Sequence, residues 1–159
     1  MGGSVPELMD KMEALKREMD EINGKILACD KRFMNNKTLA VYVRNYEENK
    51  RFGLGYRRAK NQDQYYRINE SRIMLFEAAE RNIRQIGIDP ESVTYSMVLD
   101  RIAELESEKG GLDQEYAKKA KDFKEMEKQM GVMKEYMEKQ GIQIKETAKS
   151  EKKKGEQER

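Results

Sequence analysis

Cationic and aromatic side chains are concentrated in the segment from residue 37 to residue 72. This segment holds nine Lys or Arg against four Asp or Glu, a local net charge of +5, whereas the whole 159-residue chain has a formal net charge of +2. Five of the eight tyrosines also fall there. Cations neutralise phosphates and aromatic rings stack on unpaired bases, so this composition is typical of a surface that binds single-stranded nucleic acid.

The candidate contacts of such a surface come from this segment. The cations predicted to contact phosphates are Arg44, Arg51, Arg57, Arg58, Lys60 and Arg67. The tyrosines predicted to stack on bases are Tyr56, Tyr65 and Tyr66. An alternative stays open at this point, in which the tyrosines fill a small helical core and the arginines shield that core from water.

Enzymatic chemistry has little support in the composition. The chain has no His and a single Cys, so it lacks the imidazole base of serine and cysteine triads and the His-based zinc sites. We therefore predict no catalytic residue, no metal site and no cofactor. Cys29 lies on an apolar helical face, where a small buried side chain is expected rather than a reactive thiol.

Two apolar repeats supply the elements that must position the candidate residues. The positions of the first repeat are Leu8, Met12, Leu15, Met19, Ile22, Ile26, Cys29 and Phe33. Those of the second are Tyr95, Val98, Ile102, Leu105, Lys109, Leu112, Tyr116, Lys119, Phe123, Met126, Met130, Met133 and Met137. Spacings that alternate between 3 and 4 residues place each set on one face of a helix that packs against a partner helix.

Pairing the two repeats with each other predicts an all-α fold. A first coiled-coil helix over residues 6–34 and a second over 90–140 would form a long antiparallel hairpin, with a small helical head at 35–89 inserted between them. The alternative is that each repeat pairs with its copy in another chain, which would give a coiled-coil dimer in place of a monomeric hairpin. The Met stripe at 126–137 is expected to be coiled-coil core, or else an adaptable docking surface.

Within the head, polar residues and glycines predict breaks between short helices. A turn is expected at residues 34–36, a short helix at 37–50, and a turn or hinge at 51–56, where Gly53 and Gly55 supply unusual backbone conformations. A further helix is predicted from Asn61 until Gly87 ends it. Its inner face is predicted from Tyr65, Ile68, Arg72, Leu75 and Ala79, widened by Ile73, Phe76, Ile83 and Ile86.

The two ends of the chain carry little fold information. Residues 1–5, which begin Met-Gly-Gly-Ser, resemble a flexible leader, and residues 141–159 are predicted to be a disordered charged tail. No apolar run approaches the roughly 20 residues of a membrane-spanning helix, so no membrane insertion is expected. These features, together with the lone Cys, predict a cytoplasmic protein.

The order of residues resembles the C-terminal helical region of mobilisation relaxases from conjugative and mobilisable elements of Gram-positive gut bacteria. The resemblance extends from the first repeat to about Met133. It is carried by Asn36-Lys37-Thr38, Val41-Tyr42, Tyr46, Gly55-Tyr56, Tyr65-Tyr66, Glu70, Ile73, Leu75, Ala78-Ala79, Gly87, Leu105, Glu108-Lys109, Leu112 and Glu115-Tyr116.

This resemblance implies a role in DNA mobilisation without catalysis. Relaxases of this kind carry a nicking domain with a catalytic Tyr and a His-bound metal, which a chain without His cannot contain. The chain would be a helical accessory domain that contacts single-stranded or nicked DNA, or conjugation-machinery proteins, through its basic, Tyr-rich head. The alternative function is a coiled-coil structural or protein-interaction module with no nucleic-acid role.

Overall fold

The computed structural model describes residues 4–141, and they confirm the all-α class. Three α-helices, α1 (Val5–Arg58), α2 (Gln62–Gln85) and α3 (Tyr95–Lys139), are accompanied by a short 3-10 turn at Pro90–Ser92, and no strand occurs within 4–141. The described residues form two compact units: the terminal unit, residues 4–27 with 110–141, and the middle unit, Ala28–Lys109.

The predictions made for the chain ends fall largely outside the described residues. Residues 1–3 of the predicted leader and residues 142–159 of the predicted tail are not described. Val5, which was assigned to the leader, is instead the first residue of α1 and is only 1% exposed. Its apolar side chain packs in the core of the terminal unit, which accounts for the correction.

In the terminal unit, the first half of α1 packs antiparallel against the second half of α3. Its core joins Val5, Leu8 and Met12 to Met130, with further Met side chains of α3 packed around them. Farther along α1, Lys119 Nζ lies 2.9 Å from Glu18 Oε2, and the hydrogen bond raises the pKa of Lys119. The Met stripe therefore contributes to a packed core, as one of the two readings predicted.

In the middle unit, a single core joins all the helical elements. Its buried members are Leu39, Ala40, Val43 and Tyr46 from α1, Phe76, Ala79 and Ile83 from α2, and Val93 and Val98 from the chain that leads into α3 and its first turn. The Tyr46 and Phe76 rings stack with their centres 4.9 Å apart. Cys29 is buried as predicted, and its thiol donates to the Leu105 carbonyl oxygen at 3.3 Å.

The two heptad repeats are confirmed as inner faces of α1 and α3. Every predicted position of both repeats is buried or half-buried, including the two lysines of the second repeat. Within the middle unit, Lys109 Nζ pairs with Asp30 Oδ1 at 2.7 Å. Because α1 packs on α3 in each unit, the repeats pair within the chain, as the hairpin prediction required.

The breaks predicted at residues 34–36 and 51–56 are wrong, because α1 is one continuous helix from Val5 to Arg58, whereas the helix predicted from Asn61 is confirmed as α2. At the predicted turn, Asn36 Nδ2 donates to the Arg32 carbonyl oxygen at 2.8 Å and Thr38 Oγ1 to that of Met34 at 3.2 Å. These side chains bond back to the preceding helical turn, so their polar groups are satisfied without breaking the helix.

The two glycines predicted to form a hinge serve close helix packing instead. Gly53 is buried, and a Cβ at this position would overlap the ring of Phe76 on α2. A Cβ on Gly55 would meet the hydroxyl of Tyr65. The missing side chains let α2 approach α1, and neither residue has a positive φ.

The inner face of α2 also differs from the prediction. Ile68 is 71% exposed and Leu75 is 45% exposed, whereas the residues expected only to widen the face, Ile73, Phe76 and Ile83, are completely buried. The prediction therefore centred the buried face of α2 on the wrong side of the helix. The helix does end as predicted, since Gly87 follows it with a φ of 91°.

Polar contacts made by Glu91 and Glu47 join α1 to the segment that leads into α3, and together we call them the polar latch. The Tyr46 hydroxyl donates to Glu91 Oε1 at 2.5 Å, and Lys50 Nζ lies 2.9 Å from Glu91 Oε2. Glu47 Oε1 accepts from the Tyr95 backbone N–H at 2.8 Å, which satisfies a free donor at the start of α3. The hydrogen bonds from Tyr46 and Lys50 lower the pKa of Glu91, while burial and the Glu91 carboxylate raise that of Tyr46.

Replacing Gly53 with Ala should destabilise the protein. The added methyl group would overlap the buried Phe76 ring, and overpacking of this kind costs about 1–3 kcal/mol. Urea unfolding followed by circular dichroism measures the effect. The matched control is Gly24→Ala on the same helix, where nothing lies within 4 Å of the added atom and helix propensity should leave stability equal or higher. Equal stability of wild type and Gly53→Ala would refute the close packing.

Replacing Tyr46 with Phe should lower the stability of the folded protein by an amount that depends on pH. The pKa of Glu91 is lowered in the folded state. The ionised Glu91 carboxylate therefore stabilises the fold above its unfolded pKa, near 4.3, and this stabilisation is lost as the pH falls through its folded pKa. The unfolding midpoint of Tyr46→Phe should therefore fall further below that of wild type at pH 7 than at pH 3. A loss that is the same at both pH values would contradict the latch.

Candidate nucleic-acid interface

Four cations recur at seven-residue intervals along α1 and form what we call the basic row: Lys37, Arg44, Arg51 and Arg58. Seven residues are nearly two helical turns, so the row follows one side of the helix with steps of roughly 10.5 Å. All four side chains are exposed, and none forms an ion pair with another described residue. Glu48 is an exposed acid between Arg44 and Arg51 and offsets part of this charge.

The row includes three predicted contacts and one residue that sequence reasoning missed. Arg44, Arg51 and Arg58 were among the candidate phosphate contacts. Lys37 was counted in the local charge but not selected, although its place in the seven-residue series was visible in the sequence. The four cations share one side of a single helix only because α1 continues through residues 51–56, where a turn or hinge was predicted.

Arg57 lies outside the row and is occupied by a structural contact. Its guanidinium donates to both carboxylate oxygens of Glu80 at 2.7 and 3.3 Å, and it lies 5.2 Å from the centre of the Phe76 ring. The hydrogen bond to Glu80 raises the pKa of Arg57. Arg84 also approaches Glu80, at 3.9 Å. Glu80 therefore neutralises the Arg57 guanidinium, and their ion pair joins α1 to α2.

The three candidate tyrosines meet where α1 ends and α2 begins. The Tyr56 and Tyr66 rings have centres 5.5 Å apart and planes tilted by 53°, and the Tyr65 hydroxyl lies beside Gly55. All three side chains are half-buried. They therefore help to pack the helices, and each can offer a base only the exposed part of its ring.

The last two candidate cations lie apart from these contacts. Lys60 is in the connection between α1 and α2, and Arg67 is on α2. Both are exposed, and no ion pair joins either of them to another residue in the 4–141 range. They add positive charge to the surface of the middle unit without a fixed contact to the basic row.

Two arginines converge on Phe52: Arg51, which was a predicted phosphate contact, and Arg72, which was predicted only to lie on the inner face of α2. The guanidinium carbons of Arg51 and Arg72 lie 4.6 and 5.5 Å from the centre of this ring. Arg72 Nη1 also donates to Asn49 Oδ1 at 3.2 Å, while Asn49 Nδ2 donates to the Asn45 carbonyl oxygen at 2.8 Å. Asn49 is only 1% exposed, so its amide is a fixed acceptor for Arg72. No sequence motif announces this arrangement, because it depends on the close approach of α1 and α2.

The middle unit also has an open cleft of about 580 Å³. Its polar lining is mostly uncharged, with one cation and no acid: Asn35, Asn36, Thr38, Tyr42, Asn82, Gln85 and Arg101. Among residues 4–141, no three His, Cys, Asp or Glu side chains are grouped as a metal site. None of the described helices is both long and apolar enough to cross a bilayer.

Comparison with known proteins identifies no relative of this chain. No protein-family model matches the sequence, and no curated protein or solved structure gives a significant match. The resemblance to mobilisation relaxases therefore remains a prediction drawn from the residues.

Neutralising Arg57 should destabilise the protein, whereas neutralising its neighbour Arg58 should not. Arg57→Gln leaves the half-buried Glu80 without its bidentate partner and should cost about 1 kcal/mol of unfolding free energy. Arg58→Gln is the matched control, because Arg58 has no ion pair with a described residue. Urea unfolding at low salt measures both. Equal stability of the two variants would show that the Arg57–Glu80 contact is not structural.

Proposed function

We propose that the middle unit binds single-stranded nucleic acid through the basic row on α1, and that the protein acts as a non-catalytic helical accessory component in DNA mobilisation. One observation carries the binding proposal: Lys37, Arg44, Arg51 and Arg58 form an exposed series of cations with no carboxylate partner among the described residues. Elsewhere in the middle unit, Lys50, Arg57 and Lys109 each have an acid within 2.9 Å.

The spacing of the row suits a phosphate backbone. Three steps of roughly 10.5 Å extend over about 31 Å of helix, so the four cations can follow a strand several nucleotides long. Each cation that neutralises a phosphate releases condensed counterions, and this supplies affinity without sequence preference. The row by itself offers few groups that distinguish one base from another.

Half-exposed rings near one end of the row favour a single strand over a duplex. Tyr56 lies in the same helical turn as Arg58 but on a different side of α1, and it contacts Tyr66 across the helix junction. A single strand presents unpaired bases that can stack on such rings, whereas a duplex keeps its bases stacked inside. The wider role in mobilisation is supported by the order of residues that resembles the relaxase region.

A second candidate function, protein docking, is favoured by exposed apolar side chains on α2. Ile68 is 71% exposed, Met74 is 55% exposed and Leu75 is 45% exposed. A partner from the transfer machinery could cover them. These side chains lie on α2 and the basic row lies on α1, so charge reversal in the row changes none of them and distinguishes the two functions.

Reversing two charges of the row should weaken binding to a single-stranded oligonucleotide. Arg44→Glu with Arg58→Glu should lower the affinity at least about tenfold and reduce the slope of log K against log salt by about 1.4, since each lost contact with single-stranded DNA removes about 0.7. Fluorescence anisotropy with a labelled 20-nucleotide strand measures both quantities, and circular dichroism verifies that the variant is folded.

The matched control changes the same net charge away from the row. Arg81→Glu with Lys121→Glu alters two exposed cations on α2 and α3 that have no ion pair with a described residue. It should reduce affinity by no more than about threefold through the overall field. Equal losses in the two double variants would refute the row as the binding surface. No binding of wild type at low salt would favour protein docking.

A further inference from the structure

Two positive charges are held against one aromatic ring in the middle unit. Arg51 approaches Phe52 from its own helix and Arg72 approaches it from α2, and both guanidinium carbons lie within 5.5 Å of the ring centre. Phe52 is half-buried, whereas both arginines are exposed. The face of a Phe ring attracts a cation, but this attraction is weak at an exposed site.

The charge of this arginine pair is not balanced by the protein within residues 4–141. Neither Arg51 nor Arg72 forms an ion pair with a described acid, in contrast to Arg57, which takes both oxygens of Glu80. Arg72 is instead held by the neutral amide of Asn49. Because both guanidinium carbons lie close to the same ring centre, they are at most about 10 Å apart. Like charges at this range repel each other, so an anion that contacts both arginines stabilises the arrangement.

Asn49 sets the position of Arg72 from inside the helix pair. Its amide nitrogen is bound to the Asn45 carbonyl oxygen, which directs its amide oxygen towards Arg72. Because Asn49 is buried, it has little freedom to turn away. A guanidinium fixed in this way loses less conformational entropy when it binds a ligand.

The number of charges indicates which anion fits. A phosphodiester inside a strand carries one negative charge and balances one arginine, whereas a terminal phosphate monoester carries close to two at pH 7 and presents three acceptor oxygens. Guanidinium groups bind such oxygens with paired hydrogen bonds. We infer that Arg51 and Arg72, placed on Phe52, bind the terminal phosphate of a nucleic-acid strand that lies on the basic row.

This inference rests on the proposed function, because Arg51 belongs to both sites. The row would hold the strand without regard to sequence, and the arginine pair would select strands with a phosphorylated end. Arg72 lies on α2, outside the row, so the end preference can be removed while Lys37, Arg44 and Arg58 stay in place.

The test compares oligonucleotides that differ only in their ends. Full-length protein is titrated with a 10-nucleotide strand that carries a 5′-phosphate, a 3′-phosphate or hydroxyls at both ends. Wild type should bind one of the phosphorylated strands about tenfold more tightly than the hydroxyl strand, since hydrogen bonds to charged groups have this magnitude. Inorganic phosphate should compete with that advantage.

In Arg72→Gln, the affinity for the preferred phosphorylated strand should become about equal to that for the hydroxyl strand. The affinity for the hydroxyl strand should itself change by less than about threefold. Asn49→Asp provides a second variant of similar shape, because its carboxylate would pair with Arg72 and remove the preference in the same way. Circular dichroism verifies folding. Arg81→Gln, an exposed residue of α2 with no ion pair in the described chain, is the control and should keep the preference.

The outcomes separate this inference from the proposed function. Equal wild-type affinity for all three strands, or a preference that survives both Arg72→Gln and Asn49→Asp, would overturn the terminal-phosphate site while leaving the row intact. Tight binding of inorganic phosphate with no binding of any strand would reject the row and this inference together, because the site would then take free phosphate only.

Discussion

The packing of the Phe76 ring against Gly53 is the constraint on which the middle unit depends. The ring is fully buried, it stacks on Tyr46 at 4.9 Å, and Arg57 lies over it at 5.2 Å. It occupies the space that a side chain at position 53 would need. This contact brings α2 close enough to α1 for Arg57 to reach Glu80 and for Arg72 to reach Asn49 and Phe52.

The same close packing divides the cations of the middle unit into two groups. Arg57 and Lys50 lie where acids of α2 or the 3-10 turn can meet them, and their charges are locally balanced. The residues of the basic row lie on an exposed side of α1 and have no such partner among the described residues. A high total charge with a small net charge thus still leaves a local positive surface, and local positive surface is what binds polyanions.

Much of the fold was predictable because burial along a long helix leaves a periodic trace. The heptad positions of α1 and α3, the end of α2 at Gly87 and the burial of Cys29 all follow from spacing and residue type. The continuity of α1 was not predictable in this way. Asn36 and Thr38 satisfy their own polar groups within the helix, and Gly53 is buried for tertiary reasons, so each has the local appearance of a break.

The candidate site was predictable in composition but not in arrangement. Counting charges located the basic segment, yet Arg44 and Arg57 are equivalent in such a count, and only the structure shows that one is open and the other paired. The face of α2 was misplaced because Ile68 and Leu75 share a helical spacing with real core positions. The contact of Arg72 with Phe52 depends on two helices at once, which a sequence pattern along one helix cannot reveal.

The most direct test of nucleic-acid binding by the basic row is to map where a bound strand lies on the folded protein. A single-stranded oligonucleotide with photoreactive bases can be crosslinked to the full-length chain and the attachment sites identified by mass spectrometry. We expect the crosslinks to fall on α1 between residues 37 and 58 and on the adjoining part of α2. Crosslinks confined to the terminal unit, or none at low salt with a strand in excess, would contradict the proposed surface.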